Sequence, residues 1–379
     1  MGQLLSHPLN EKTVEYHPLN KFSHCIGSMQ GYRLTQEDNH LVNFYHSIDF
    51  QNINNELERL DIKIFAIFDG HGGSETSEFL SIKLSGYILD EITKKESNLT
   101  LQKFKTNQGL IMYKLKNSFL NTDKQLYDYL MKRQPQSQPP SSTSNQYNSK
   151  NTSGSTAIVS VIINNQDLYS INTGDSRLIV SINGYVKNLS FDHKPNHIGE
   201  LIRINDANGS ISFNRVGGIL ALSRAFGDFN FKLKKYHNLQ VLKQRRLSTS
   251  LNTNHDGVTD EYIKHLSSEE TQVTVEPEII IHKLSSNNEF IVLACDGIYD
   301  VFSNQEIVDY IRHHLSLGLR IDTIVTKLLE HAINQADQST GIGFDNMSII
   351  LIANQLNDET LDQWYERIRD HIKEEKGLI

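Results

Sequence analysis

The apolar residues of this 379-residue chain occur as short continuous runs and as longer stretches with helical spacing. The runs Ile62–Phe68 and Glu289–Cys295 each contain a single charged residue, which is typical of buried strands. Between residues 108 and 131, leucine and aromatic residues recur every three or four positions, which predicts a helix. The other predicted elements are strands at Phe22–Met29, 154–163, Asp167–Asn172, Arg177–Ile182, 275–284 and 346–353, and helices at Ser74–Ile92, His197–Asp206, Asn304–Leu315, Ile321–Asp337 and Thr360–Lys373.

Short turns separate several of these strands. Asn183-Gly184 lies between two apolar runs and predicts a two-residue hairpin turn. Closely spaced strands with tight turns are typical of antiparallel sheets. Ser74 follows a double glycine and is a candidate N-cap for the helix that begins there.

Three segments lack this apolar periodicity. Residues 1–20 are expected to form an N-terminal arm. Residues 134–153 are rich in Pro, Ser, Gln and Asn, which indicates a polar surface insert, and residues 229–274 form a second, longer one. One domain over 21–356 would carry both inserts, and a closing helix within 357–379 would pack on this domain or follow it.

Strands are distributed over the whole chain, and the long helices fall in pairs between groups of strands. This arrangement favours an α+β domain with helices outside the sheets and disfavours strict β-α alternation. Neither the phosphate-binding loop of P-loop proteins nor the dinucleotide-binding glycine fingerprint is present.

Composition narrows the class of protein. The formal net charge of −8 disfavours nucleic acid as a main partner, because phosphate binding requires a basic face. The cysteines, Cys25 and Cys295, have neither zinc-ligand spacing nor the pattern of a disulfide framework. We therefore expect both side chains to be buried as free thiols, in a protein of a reducing compartment. The sequence contains no run of about 18 apolar residues, so we expect no membrane span. We therefore expect a monomer that is cytoplasmic, nuclear or both.

The chain begins Met1-Gly2-Gln3-Leu4-Leu5-Ser6, which fits the N-myristoylation pattern. A disordered N-terminal segment in which the glycine is incidental explains these residues equally well. One myristoyl chain would give only weak, reversible membrane association.

Acidic residues recur where the apolar runs end. Asp69 follows one run within Asp-Gly-His-Gly-Gly, Asp296 follows another within Asp-Gly-Ile-Tyr-Asp, Asp175 follows a third, and Asp345 precedes a fourth. A single Asp-Gly is usually a turn, but this repetition predicts one oxygen-rich metal site. The candidate set is Glu37, Asp38, Asp69, Asp175, Asp296, Asp300 and Asp345.

The chemistry of this set indicates the metal and the reaction. Carboxylates without a His/Cys cluster favour Mg²⁺ or Mn²⁺ over zinc or copper. Burying several carboxylates together is costly without cations. Two ions about 3.5–4 Å apart would neutralise them and hold a hydroxide, which is a site for phosphate-ester hydrolysis. His71 could protonate a leaving alkoxide, and Arg33 could hold a phosphate through paired hydrogen bonds. Taken alone, His71 would be assigned a surface or structural position and Arg33 a surface position.

At these residues the chain resembles the metal-dependent protein serine/threonine phosphatases of type 2C, the PPM family, and its fungal members in particular. The resemblance spans roughly residues 23–353, and the ordered series of motifs is far more specific than any one of them. The matching segments are Arg33-Leu34-Thr35-Gln36-Glu37-Asp38, Asp69-Gly70-His71-Gly72-Gly73, Gly154-Ser155-Thr156-Ala157, Gly174-Asp175-Ser176-Arg177, Asp192-His193-Lys194-Pro195, Ala221-Leu222-Ser223-Arg224-Ala225-Phe226-Gly227-Asp228, Asp296-Gly297-Ile298-Tyr299-Asp300 and Asp345-Asn346.

The resemblance implies an αββα sandwich, in which two stacked, mostly antiparallel β-sheets carry helices on both outer faces. It implies that Asp69 bridges two metal ions. Glu37 and the Gly70 carbonyl would bind one ion, and Asp296 and Asp345 the other.

The same resemblance assigns the remaining site residues. Asp175 and Asp300, with Asp296, would serve a weaker third metal. Arg33 would bind substrate phosphate, His71 would act as general acid, and Asp38 would support metal-bound water.

This sequence departs from the family pattern in three places. Tyr299 stands where many members carry Trp. The insert 134–153 is additional, and the segment after Asp228, where the family has a flap, is long. The two inserts leave substrate choice open, because loops carry specificity.

The acidic set predicts phosphate-ester hydrolysis, and the resemblance implies that the protein is a serine/threonine phosphatase. It would hydrolyse phosphoserine and phosphothreonine of phosphorylated proteins by direct attack of a metal-bridging hydroxide, without a covalent phosphoenzyme. Two alternatives stay open: a catalytically silent phosphoprotein-binding module on the same fold, and a phosphomonoesterase for small molecules.

The second insert contains one further short motif. Arg245-Arg246-Leu247-Ser248 fits a basic-directed kinase site, and Ser248 would then be phosphorylated. A solvated charge run in a loop is the more common explanation of such a segment.

Overall fold

The computed structural model describes residues 4–132, 152–235, 263–265, 270–337 and 339–377, and for 233–235 and 263–265 the backbone alone. Two antiparallel sheets make up most of the strand content. The strands of the six-stranded sheet are β1 (Leu4–His17), β2 (His24–Arg33), β9 (Arg177–Ile182), β10 (Tyr185–Asn188), β17 (Asn288–Ala294) and β18 (Met347–Ala353). Those of the five-stranded sheet are β3 (Asn39–Gln51), β4 (Leu57–Phe68), β7 (Ala157–Ile163), β8 (Asp167–Thr173) and β16 (Glu278–Lys283). The spatial order is β1-β2-β18-β17-β9-β10 in the first sheet and β16-β8-β7-β4-β3 in the second.

The sheets pack face to face, and side-chain alternation along β4 shows how. Phe65 and Ile67 join the apolar core shared with the six-stranded sheet, whereas Ile64, Ala66 and Phe68 join a second core under the helices. Both faces of this strand are therefore buried, which explains its nearly uninterrupted apolar sequence.

The long helices cover the two outer faces. Helices α1 (Glu75–Thr93) and α3 (Asn107–Lys132) contact each other, and α1 lies against β3 and β4. On the opposite side, α7 (Ile321–Asn334) packs on β1 and β2, and α6 (Asn304–Ser316) contacts β10 and α8 (Leu361–Glu375). The predicted α+β sandwich with helices on both faces is confirmed, and the predicted helices agree with these bounds within a few residues.

The remaining described elements are short. They are β5 (Gly70–His71), α2 (Asn98–Leu101), β6 (Gly154–Ser155), α4 (Ile198–Asp206), β11 (Ile211–Ser212), β12 (Arg215–Val216), β13 (Phe226–Gly227), a 3₁₀ turn (Phe229–Phe231), β14 (Leu233–Lys235), β15 (Ile263–His265) and α5 (Asp296–Tyr299).

The structure differs from the sequence-based expectations at the N-terminus. Residues 4–17, expected to lie in an arm outside the domain, form the edge strand β1, which pairs with β2. Strand β3, for which no element was predicted, pairs with β4 along its length. Both strands keep one face partly exposed, so their polar residues hide the strand pattern.

Two local predictions can be compared with the structure directly. The hairpin at Asn183-Gly184 is present, with φ of 48° and 81° and with Ile182 paired to Tyr185, as a primed two-residue turn requires. Ser74 does precede α1, but its hydroxyl makes no cap hydrogen bond and donates to the Glu78 carboxylate at 2.6 Å.

A buried ion cluster fixes α4 to the segments on either side of the long insert. The Glu200 carboxylate lies 2.8 Å from the Arg203 guanidinium and 2.6 Å from that of Arg224. Arg224 also donates to the Glu276 carbonyl oxygen at 2.9 Å. At the base of the insert itself, β14 and β15 form an antiparallel pair.

Several predictions concern residues outside the described ranges. These are acylation of Gly2, phosphorylation of Ser248, and the conformation of nearly all of insert 134–153 and of residues 236–262. Among the described residues, no helix has both the length and the apolar character needed to cross a bilayer.

Candidate active site

Acidic side chains from both sheets meet where their strands end. Asp69 follows β4, Asp175 lies in the loop between β8 and β9, and Asp296 begins α5 directly after β17. One carboxylate oxygen from each of the three lies within 4.8 Å of those of the other two. Because the loop from β8 to β9 passes from one sheet to the other, the cluster lies at one end of the interface between them.

The electrostatics of this cluster are unfavourable without added positive charge. Burial raises the pKa of Asp69 well above its usual range, and repulsion from Asp296 raises it further. The pKa of Asp296 is raised in the same way, by burial first and then by Asp175 and Asp345. Burial also raises the pKa of Asp300, and repulsion from Asp175 contributes to this rise.

Among the described residues, two cationic side chains form direct ion pairs with members of this set. The Lys194 ammonium pairs with Asp175, and the Arg33 guanidinium pairs with Asp345. These two charges are fewer than the carboxylates that surround them. Buried carboxylates that repel one another and offer only oxygen donors are the ligands that Mg²⁺ and Mn²⁺ prefer. The residues present therefore fit divalent cations of this class.

A second group of contacts brings Glu37 to the same place. The side-chain amide of Asn346 accepts from the Glu37 backbone N–H at 3.0 Å and donates to the carbonyl oxygens of Gln30 and Thr35. Gly70 lies so close that a Cβ atom there would be 2.2 Å from the Glu37 carbonyl oxygen. This approach places Asp69-Gly70 beside Glu37 and Asp345.

Asp38 is buried behind this group. Its carboxylate accepts a hydrogen bond of 2.7 Å from the Ser348 hydroxyl. Burial raises its pKa to about 7, the hydrogen bond from Ser348 opposes the rise, and Asp345 adds to it. A carboxyl group with this pKa can hold or release a proton near neutral pH.

His71 lies next to the cluster and has its own acidic partner. Its Nε2 atom is 2.7 Å from a carboxylate oxygen of Asp228. Burial alone would lower the pKa of His71, but the Asp228 charge and hydrogen bond outweigh it and raise the pKa. Sequence reasoning gave Asp228 no role, although it closes the motif Ala221–Asp228; no spacing rule connects it to a histidine more than a hundred residues earlier.

All the acidic residues singled out in the sequence lie at this end of the sheets. Asp38 and Asp345 act electrostatically on Asp69, Asp300 acts on Asp296, and Glu37 acts on His71. Arg33 reaches the set through Asp345. The structure places these residues together, and the individual role of each stays a proposal.

Comparisons with known proteins identify the family of this chain. The family described as Protein phosphatase 2C matches residues 22–341. Protein phosphatase 2C homolog 4 of Saccharomyces cerevisiae is 40% identical, and the match covers 100% of this chain and 100% of the relative. Protein phosphatase 2C homolog 3 of Schizosaccharomyces pombe is 32% identical over 100% of this chain and 75% of its own length.

A solved structure shows the same fold. The crystal structure of a phosphatase from a pathogenic strain of Toxoplasma gondii superposes with a TM-score of 0.61 at 20% identity, covering 93% of this chain and 97% of that one. The resemblance inferred from the motifs is thus confirmed by a match over most of the chain. The chain belongs to the protein phosphatase 2C family.

Proposed function

We propose that this protein phosphatase hydrolyses phosphoserine and phosphothreonine in phosphorylated proteins in one step, without a covalent phosphoenzyme. The observation that supports this most directly is the convergence of Asp69, Asp175 and Asp296 at one end of the sheet interface. Such a site suits phosphate esters, because their hydrolysis needs positive charge at the phosphoryl oxygens and an activated water.

Two divalent cations would be held by residues on neighbouring strand ends. Asp69 would contact both, Glu37 and the Gly70 carbonyl oxygen one, and Asp296 and Asp345 the other. Asp175 and Asp300 would contribute to a weaker third site. When bound, the cations would supply an activated hydroxide as the nucleophile and would stabilise the charge that develops on the phosphoryl oxygens.

Arg33 would bind the phosphate group of the substrate. Its side chain is 42% exposed and is held at the edge of the cluster by its ion pair with Asp345. A guanidinium carries five N–H donors in a planar fork, so this pairing leaves others for phosphate oxygens.

His71 would donate a proton to the departing serine or threonine oxygen. A serine alkoxide is a poor leaving group, so protonation in the transition state is worth roughly 10²–10⁴-fold in rate. Asp38 would act behind the cations, where its carboxyl group can accept a hydrogen bond from bound water.

The test is phosphate release from a phosphoserine peptide with Mg²⁺ or Mn²⁺, then with excess chelator, then after the metal is restored. Release that requires the metal and returns with it is expected. Release that continues in chelator would refute the metal assignment. A parallel assay with a small phosphorylated metabolite separates a protein phosphatase from a phosphomonoesterase.

A further inference from the structure

We propose that Asp228 is a positioning residue for catalysis: it holds His71 through Nε2, so that Nδ1 is the atom that delivers the proton to the leaving oxygen. This inference rests on the proposed role of His71 as general acid. It adds a residue to the reaction and assigns the proton transfer to one ring nitrogen.

The contact between the two side chains is short and enclosed. Nε2 of His71 lies 2.7 Å from Oδ2 of Asp228, and only 6% of the Asp228 side chain is exposed. A Cβ atom on Gly154 would be 2.2 Å from that carboxylate oxygen and 2.3 Å from Nε2, so a larger residue there would displace the pair. The pairing therefore depends on the backbone of β6 as well as on the two side chains.

A second buried network fixes the backbone that carries Asp228. Asp123 of α3 accepts a hydrogen bond of 2.9 Å from the Gly227 N–H and one of 2.8 Å from the Lys232 ammonium. Lys232 also donates to the Ala225 carbonyl oxygen at 2.6 Å. Residues on both sides of Asp228 are thus tied to one helix, which limits the movement of its carboxylate.

This geometry determines which nitrogen of His71 can react. Nε2 is engaged by Asp228, Nδ1 makes no hydrogen bond or ion pair with the described residues, and 28% of the His71 side chain is exposed. In the proposed step, the Nδ1–H bond breaks as the phosphorus–oxygen bond to serine breaks, and the serine leaves as a neutral alcohol. His71 is left neutral with its Nε2–H on Asp228, and it regains the Nδ1 proton from solvent. Carboxylate–histidine pairs that fix ring orientation in this way are general in enzyme sites.

The test compares four proteins: wild type, His71→Ala, Asp228→Asn and the double variant. Asp228 has φ of 49°, a left-handed conformation that asparagine also adopts readily, so the exchange preserves the backbone. Each protein is assayed on a phosphoserine peptide and on an aryl phosphate, whose leaving group needs little protonation. Thermal unfolding midpoints check that all four fold.

Asp228→Asn should lower kcat on the peptide on the order of 10- to 100-fold and lower it much less on the aryl phosphate. It should cause no further loss in the His71→Ala background. A second measurement does not depend on the variant: ¹⁵N spectra of histidine-labelled wild type, with the His71 signal assigned by its loss in His71→Ala, should show a proton on Nε2.

Failure of this inference can be distinguished from failure of the proposed function. If His71→Ala loses the same factor on both substrates, His71 is not the general acid and both fall. The role of Asp228 is overturned, and that of His71 stands, if His71→Ala loses more kcat on the peptide than on the aryl phosphate while Asp228→Asn loses the same factor on both. The same conclusion follows if Asp228→Asn lowers kcat further in the His71→Ala background. An Nε2 atom without a proton in wild type overturns it equally.

Discussion

The buried carboxyl group of Asp38 should make the metal-free protein less stable as the pH rises. Burial raises its pKa from 3.8 to about 7, against the hydrogen bond from Ser348, and Asp345 adds repulsion. Between these two values the unfolded chain has lost the proton while the folded protein still binds it. The contribution of Asp38 to stability is therefore largest below pH 3.8 and falls as the pH rises towards 7.

The size of the effect follows from the same pKa values. One pKa unit corresponds to about 1.4 kcal/mol, so ionisation of Asp38 lowers the free energy of unfolding by about 4 kcal/mol across this interval. The pKa values of Asp69 and Asp296 are raised as well, and they act in the same direction. A divalent cation favours the ionised carboxylates of the folded state, so Mg²⁺ should reverse the trend.

The measurement is urea unfolding of wild type, Asp38→Asn and Ser348→Ala in chelator at a series of pH values, repeated with Mg²⁺. The difference between wild type and Asp38→Asn isolates this carboxyl group and should change by several kcal/mol between acid and neutral pH. Ser348→Ala tests the same carboxyl group from the other side. It removes the hydrogen bond that favours the ionised form of Asp38, so the loss of stability should extend to higher pH. Parallel curves for wild type and Asp38→Asn would refute the reasoning.

Four other substitutions, with Arg59→Ala as a control, test separate parts of the molecule. Asp69→Asn and Asp296→Asn should each abolish phosphate release from a phosphoserine peptide with an unchanged circular dichroism spectrum; a normal rate in either would contradict the metal assignment. Arg33→Ala should mainly raise KM if Arg33 binds the phosphate equally well in the ground state and the transition state. The control Arg59→Ala, at a surface arginine that is 76% exposed, should change neither KM nor kcat. A fall in kcat alone would mean that Arg33 acts on the phosphate only in the transition state. Burial opposes ionisation of Glu200, but its two arginine partners hold its pKa at about 2 rather than 4.5. Glu200→Gln should lower the free energy of unfolding by about 3 kcal/mol at neutral pH, as measured by urea unfolding. It should also remove the decrease in stability that the wild-type protein shows as the pH falls below 4.5. A variant as stable as wild type at neutral pH would contradict this role of Glu200.

Most of the site could be predicted because its residues belong to strand ends that the sequence marks clearly. Ile62–Phe68 is buried on both faces, so its apolar run stands out, and Asp69 is the first polar residue after it. The run before Asp296 has the same property. Where a strand is half-exposed, as in β1 and β3, polar residues break the pattern and the strand escapes prediction.

The partner of His71 could not be predicted for a different reason. The hydrogen bond to Asp228 depends on β5 and β13 both pairing with β6, which brings two distant segments together through a third. Each of these strands is two residues long, too short to give any periodicity. Tertiary contacts alone set this pair, so the structure was needed to see it.

The pairs Asp69-Gly70 and Asp296-Gly297 show why the acidic cluster forms at all. An Asp-Gly pair usually marks a turn, in which glycine supplies a positive φ. Gly70 and Gly297 have ordinary φ values here, and what each supplies is space: a Cβ atom would be 2.2 Å from the Glu37 carbonyl oxygen at Gly70 and 2.1 Å from that of Asn346 at Gly297. Asn346 in turn accepts from the Glu37 N–H. Backbone-to-backbone contact at the two glycines therefore draws four chain segments together, and it holds the carboxylates close although they repel one another. The fold thus imposes the charge cluster, and the bound cations would relieve it.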